Sequence, residues 1–184
     1  FHDGQANRVD KTDSVISKIL ENGAVYSAVQ NDYFGWEVAG SKVDVLSKLS
    51  IHAGTRLSHY EVTLEGDQLD NMSTGIGKDL DKAKLFTSEG DNGKWGYIAT
   101  YGDQSLNDDK LGLAVLFSND DFVEFTEDEH SHVVKLKPSS GKIDYYFLGA
   151  WELEPNGITN EEDFIHYINK TAEELANPVK VSVK

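Results

Sequence analysis

Apolar and polar residues alternate through most of this chain, with the two-residue period of half-buried strands. From Ser41 to Ile51 the alternation puts Val43, Val45, Leu49 and Ile51 on one face. After a turn at His52–Thr55 it resumes from Arg56 to Glu65, with Tyr60, Val62 and Leu64 inward and His59, Glu61 and Thr63 outward. The two runs predict a β-hairpin. Ala24–Tyr33 and Tyr33–Gly40 read as earlier strands; Lys94–Gly102, Leu111–Phe117, Ser131–Pro138 and Lys142–Glu154 read as later ones. On the last of these, Tyr145, Phe147 and Trp151 share a face that the spacing assigns mostly to the core. The separators "GDNG", "GDQSLNDD", "SNDD" and "PSSG" are rich in the residues that turns require.

One segment changes period. From Thr159 to Pro178, Phe164, Ile165, Ile168, Ala172 and Leu175 recur at helical spacing and form a stripe that should lie against a sheet. Thr159 and Glu162 are spaced as a capping box, acids crowd the first turn, and Pro178 stops the helix. Val179–Lys184 alternates again. About ten short strands and one late helix predict a mainly antiparallel β-sandwich with a C-terminal helix packed on a sheet. The 184 residues are expected to form a single domain, with no internal repeat or interior linker.

The formal charge of −15, with 17 Lys and Arg scattered among 32 acids, argues against nucleic acid as a partner. No run approaches the roughly 20 apolar residues of a membrane span. The absence of cysteine excludes disulfides and thiolate chemistry without fixing the compartment. The opening Phe1-His2-Asp3-Gly4, without methionine or a basic and apolar leader, is expected to mark a processing or cloning boundary.

Three sets of residues carry candidate chemistry. His52 and Arg56 flank the hairpin turn and His59 lies on the next strand, so a cleft on that face would give them a carboxylate to bind or a proton to transfer. The competing reading places all three on an ordinary hairpin surface. Trp36, Trp95, Tyr97 and Tyr101 are candidates for stacking on the apolar faces of sugar rings, although core packing accounts for most such positions and Trp95, after a glycine loop, is the one expected to reach solvent. His130 and His132, beside Glu127, Asp128 and Glu129, have a spacing that lets two imidazoles share a divalent metal if a third ligand arrives from elsewhere. A solvated strand start explains the same pattern. The chain has no Gly-x-Ser-x-Gly, no phosphate-binding loop and no dinucleotide fingerprint.

The order "KLSIHAGTRLSHYEVTLEG", "STGIGK", "KWGYIATYGDQ", "LGLAVLF", "HSHVVKLKPSSGKIDYYFLGAWE" and "EEDFIHYINKTAEELANPVKV" resembles the C-terminal half of bacterial proteins carrying domain of unknown function 4861. The likeness runs from about Val15 to the C-terminus, and "YYFLGAWE" and "NPVKV" are its most specific parts. It implies a fold like the galactose-mutarotase supersandwich and a periplasmic or secreted place in a bacterial glycan-degradation system. The implied activity is that of part of a polysaccharide lyase or glycosidase, acting on a poly- or oligosaccharide. A non-catalytic carbohydrate-binding or assembly module is the alternative. The resemblance further implies that a second chain, or a longer precursor, supplies the N-terminal half of the sandwich.

Overall fold

A computed structural model of the chain describes residues 1–79, 82–90 and 95–182. Among these residues eleven strands and one helix follow one another: β1 (Ser14–Asn22), β2 (Tyr26–Val38), β3 (Ser41–His52), β4 (Ser58–Gly66), β5 (Met72–Gly77), β6 (Ala83–Ser88), β7 (Trp95–Gly102), β8 (Leu111–Ser118), β9 (Phe122–Glu127), β10 (Ser131–Leu136), β11 (Lys142–Trp151) and α1 (Glu161–Ala176). Eight strands form one antiparallel sheet in the order β1-β2-β3-β4-β11-β8-β7-β6, and β5-β10-β9 form a second. The mainly β fold with a single C-terminal helix is the architecture that the alternation predicts. Among the described residues no helix is long and apolar enough to cross a membrane.

The large sheet is covered differently on its two faces. On the inner face, Ile98, Val115, Phe117 and Ile143 meet Ile76, Val134 and Leu136 of the small sheet. On the outer face, Tyr97, Ala99, Tyr101, Ala114, Leu116, Leu148 and Ala150 form a floor on which Phe164, Ile168 and Ala172 of α1 lie. Gly112 lets the helix come close: a Cβ there would fall 2.6 Å from Phe164 Cδ2, less than any real carbon contact.

Three strand-level expectations change. The predicted strands Ala24–Tyr33 and Tyr33–Gly40 are one long strand, Tyr26–Val38, because a bulge at Gly35 (φ +65°) carries the chain through without a break. Its amide donates to Asp44 Oδ1 at 2.7 Å, and the extra residue turns Trp36 to the same face as Tyr33. Along β11, Tyr145 does point between the sheets, whereas Phe147 is 37% and Trp151 40% exposed; Leu148 and Ala150, on the opposite face, are the core residues. Residues 179–182 form no strand, and the rest of the Val179–Lys184 run lies outside the described residues. The helix cap also moves by one position. Asn160, not Thr159, accepts from Asp163 N at 2.9 Å, in keeping with the stronger preference for asparagine there.

Eight strands cannot be covered by three. Over β2, β3 and β4 the inner face is closed instead by the N-terminal segment, whose Arg8 carbonyl accepts from Trp36 Nε1 at 3.0 Å and whose Lys11 carbonyl accepts from Glu37 N. Trp36, Val45 and Val62 form a third apolar cluster beneath it.

Candidate functional site

The outer face continues beyond the edge of α1 onto β11, β4, β3 and β2, and there it turns polar. Paired residues on neighbouring strands point to the same side. Leu116 opposes Tyr146, Tyr146 opposes His59, His59 opposes Ser50 and Glu61 opposes Lys48. The helix-covered core and this polar field are therefore two ends of one surface.

His59 sits at its centre. Its Nε2 lies 3.2 Å from Asp144 Oδ2, and its Nδ1 lies 4.0 Å from Glu61 Oε2. An ionised carboxylate only accepts, so the closer Asp144 contact is made by an N–H on Nε2, with Nδ1 turned to the Glu61 side. The ring stacks on Tyr146 with centroids 4.2 Å apart and planes 8° apart. Trp95 meets the same tyrosine edge-on at 5.4 Å. Burial raises the Tyr146 phenol above its usual pKa, and the charges of Asp144 and Glu61 add to the effect, so its hydroxyl stays protonated and able to donate.

A second polar layer fixes the first. Lys48 Nζ donates to Glu61 Oε2 at 2.7 Å, and this hydrogen bond, with a further one to Tyr26, holds the ammonium above its ordinary pKa. Asp32, only 5% exposed, accepts from Gln30 Nε2 at 2.9 and 2.7 Å. The arrangement offers an imidazole oriented by a carboxylate, a phenol, an indole beside them and several hydrogen-bond acceptors. It can transfer a proton to or from a group brought alongside the imidazole.

The nine residues singled out from sequence scatter. His59 and Trp95 are joined through Tyr146. His52 is exposed and tilts against Tyr26 at 4.6 Å. Arg56 faces away from His59: its Nε donates to Glu154 Oε1 at 2.6 Å, its Nη2 to the Asn156 carbonyl, and its guanidinium lies over the Tyr167 ring. It ties the hairpin turn to the loop preceding α1. Tyr97 and Tyr101 are 6% exposed under the helix, Tyr101 stacked on Phe164 with its hydroxyl donating to the Ile158 carbonyl. His130 projects into solvent with its side chain 83% exposed. His132 is buried with Nδ1 3.6 Å from Glu127, and burial first, then the charge of Lys78, lowers its pKa. Among the described residues no group of three or more His, Asp or Glu side chains is placed to hold a metal.

Trp36 belongs to a different place. On the inner face a cavity of about 490 Å³ opens between the sheets, lined among others by Tyr33, Trp36, Tyr60, Tyr145, Arg8 and Asn71. Its phenols are engaged by neighbours, Tyr60 by Ser47 and Tyr145 by Thr74. Burial pushes Tyr145 up to about 12, so neither phenol is an acid or base near neutral pH.

Sequence reasoning missed Asp144, Tyr146, Glu61 and Lys48 as site residues. The hairpin pattern already put Glu61 on the face of His59. Asp144 and Tyr146 reach that face only because β11 pairs with β4, 85 residues away in the His59–Asp144 case. A family described as a domain of unknown function, DUF4861, matches residues 1–181. No curated protein and no solved structure matches the chain.

Proposed function

The chain belongs to the DUF4861 family, and from that premise we propose that it is a carbohydrate-active protein of a bacterial glycan-degradation system, working as part of a glycosidase- or lyase-type enzyme. The observation that carries this reading is the contact chain Asp144, His59, Tyr146 and Trp95. Aromatic surface beside an oriented proton-transfer group is what a sugar-processing site needs: the Trp95 indole offers apolar surface to a pyranose and the imidazole acts on a ring or glycosidic proton. In this mechanism His59 Nδ1 accepts or returns the proton. Asp144 holds the ring and stabilises it when charged, and the protonated Tyr146 phenol donates a hydrogen bond to a sugar oxygen.

The test is turnover of a panel of plant, algal and animal polysaccharides, followed by reducing-end release and by absorbance of unsaturated products. His59→Ala should lose roughly 10²–10⁴-fold in kcat on whichever glycan is cleaved. Asp144→Asn should lose activity with the fold intact. An unchanged rate in both variants would remove this site from the chemistry.

A second reading rests on the inner cavity. Trp36 and Tyr33 line it together and offer flat apolar surface in a concave site, which suits a non-catalytic binding or assembly module. The resemblance also supports a periplasmic or secreted location, and a second chain completing the sandwich. Strand β1 gives such a chain somewhere to pair: it is an exposed edge carrying Val15, Ile16, Ile19 and Leu20, each at least 45% exposed. Native mass spectrometry of protein from its source would reveal that chain, and a monomer at physiological concentration would argue against it.

A further inference from the structure

The cavity between the sheets has a floor and a rim of different chemistry. Buried Trp36, Val45 and Val62 form the floor on the inner face of the large sheet, with Tyr33, Tyr60 and Tyr145 around them. The Tyr60 and Tyr145 rings tilt against each other at 5.5 Å. Three of these four rings have their polar atom bound within the protein: Trp36 Nε1 donates to the Arg8 carbonyl at 3.0 Å, Tyr60 is hydrogen-bonded to Ser47, and Tyr145 to Thr74. The rim is polar. Exposed Asn7 and Arg8 of the N-terminal segment border it, as do exposed Gln68 and Asp70 of the loop between β4 and β5.

A volume of about 490 Å³ falls in the range of small-molecule sites and admits one or two rings. Flat rings suit this floor, because aromatic pairs gain from tilted and offset contacts of the kind Tyr60 and Tyr145 already make. A sugar suits it less: its hydroxyls would be buried against side chains that have few free partners to offer. The ligand that fits is apolar within and polar at one end.

The charges at the rim constrain that end. His2 faces Asp3 at 3.3 Å, Lys42 is paired with Asp13, and Lys135, over the Phe1 ring, is paired with Glu124. The Phe1 nitrogen donates to Asn71 Oδ1 at 2.7 Å. Among the described residues neither Arg8 nor Asp70, both lining the cavity, is in an ion pair. A net anion at the rim would meet the Asp70 carboxylate, and a net cation the Arg8 guanidinium. A head group without net charge avoids both penalties, and a zwitterion engages both side chains.

We propose that the inner cavity binds a compact aromatic molecule, of one ring or two fused rings, whose polar head carries no net charge: an aryl alcohol or an aromatic amino acid. Its rings lie among Tyr33, Trp36, Tyr60 and Tyr145, and its head stays at the rim beside Arg8 and Asp70. This rests on the reading of the cavity as a binding site and is independent of proton transfer at His59.

Four compounds with one indole body and different heads make the test: tryptophol, tryptophan, indole-3-propionate and tryptamine. Each is titrated at pH 7 and low ionic strength into the ¹⁵N-labelled intact chain, with the Trp36 indole signal as readout and intermolecular NOEs to the tyrosine rings locating the ligand. Tryptophol or tryptophan should shift that signal saturably, and the propionate and the amine should both bind at least about threefold more weakly. Asp70→Asn should restore the propionate and Arg8→Gln the amine; both side chains are exposed, so the fold is kept. Tightest binding of the propionate or the amine would overturn the inference while leaving the cavity a binding site. A Trp36 shift with oligosaccharides but with none of the four compounds would do the same. No shift with either, in protein with native circular dichroism, would overturn the reading of the cavity as a binding site and this inference with it.

Discussion

Replacing Gly112 with alanine should destabilise the protein, and shortening Phe164 should relieve most of that cost. Phe164 is fully buried on α1, stacked on Tyr101 with ring centroids 5.3 Å apart. A Cβ on residue 112 would lie 2.6 Å from its Cδ2 and 2.7 Å from its Cζ, so the ring or the whole helix must move. Overpacking of this kind costs about 1–3 kcal/mol. Phe164→Leu removes ring volume from a closed site and costs about 1–2 kcal/mol, a fraction of the 3–5 typical of truncation to alanine. The leucine also vacates the space into which the new methyl projects. The double variant should therefore be more stable than the sum of the single losses by at least about 1 kcal/mol. Urea unfolding followed by far-ultraviolet circular dichroism measures the cycle, with unchanged m-values as the condition for comparing midpoints. Additive losses, within about 0.5 kcal/mol, would refute the view that close approach of α1 at Gly112 fixes the outer face.

Two further outcomes bear on residues with structural roles. The imidazole of His132 is buried near Lys78, and its folded pKa lies below its unfolded value of about 6.5. Folding thus disfavours its protonation: its contribution is complete above pH 6.5 and is lost as pH falls from there through the lowered folded pKa. Thermal melts from pH 7.5 to 5 should show this decline, and His132→Gln should flatten it; an equal slope in the variant would contradict the assignment. Arg56→Met should lower stability by about 1–2 kcal/mol through loss of the Glu154 pair and the contact with Tyr167, because both partners are less than a third exposed. It should leave kcat on a cleaved glycan within about twofold, and a larger fall would return Arg56 to the chemistry.

The sequence made the β2–β4 region largely legible, because its alternation is strict wherever one face is buried. Val43, Val45 and Val62 point inward as the pattern predicts, and the opposite parity of His59 and Glu61 is equally plain. The short strands β5, β6 and β9 were not legible: each is six residues long and held mainly by its neighbours. Nor was β1, whose nine residues are all exposed and pair along one edge with β2 alone. The Gly35 bulge shows why counting alone fails, since it brings Trp36 and Tyr33 to one face across an odd spacing. The candidate site was half visible for a related reason. His59 and Glu61 lie within one strand, but Asp144 and Tyr146 join them through a pairing of distant segments that no local period encodes.

The most direct test of the site is the indole region of a ¹⁵N-labelled spectrum during titration with a pool of neutral and acidic oligosaccharides. The chain has three tryptophans, at distinct places: Trp95 beside Tyr146, Trp36 in the inner cavity, and Trp151 at the exposed end of β11. Single tryptophan-to-phenylalanine variants assign the three signals. The account predicts that the Trp95 signal shifts with added sugar, that the Trp36 and Trp151 signals stay in place, and that Tyr146→Ala removes the shift. Movement of Trp36 with Trp95 unchanged would contradict it and move the functional site to the cavity between the sheets.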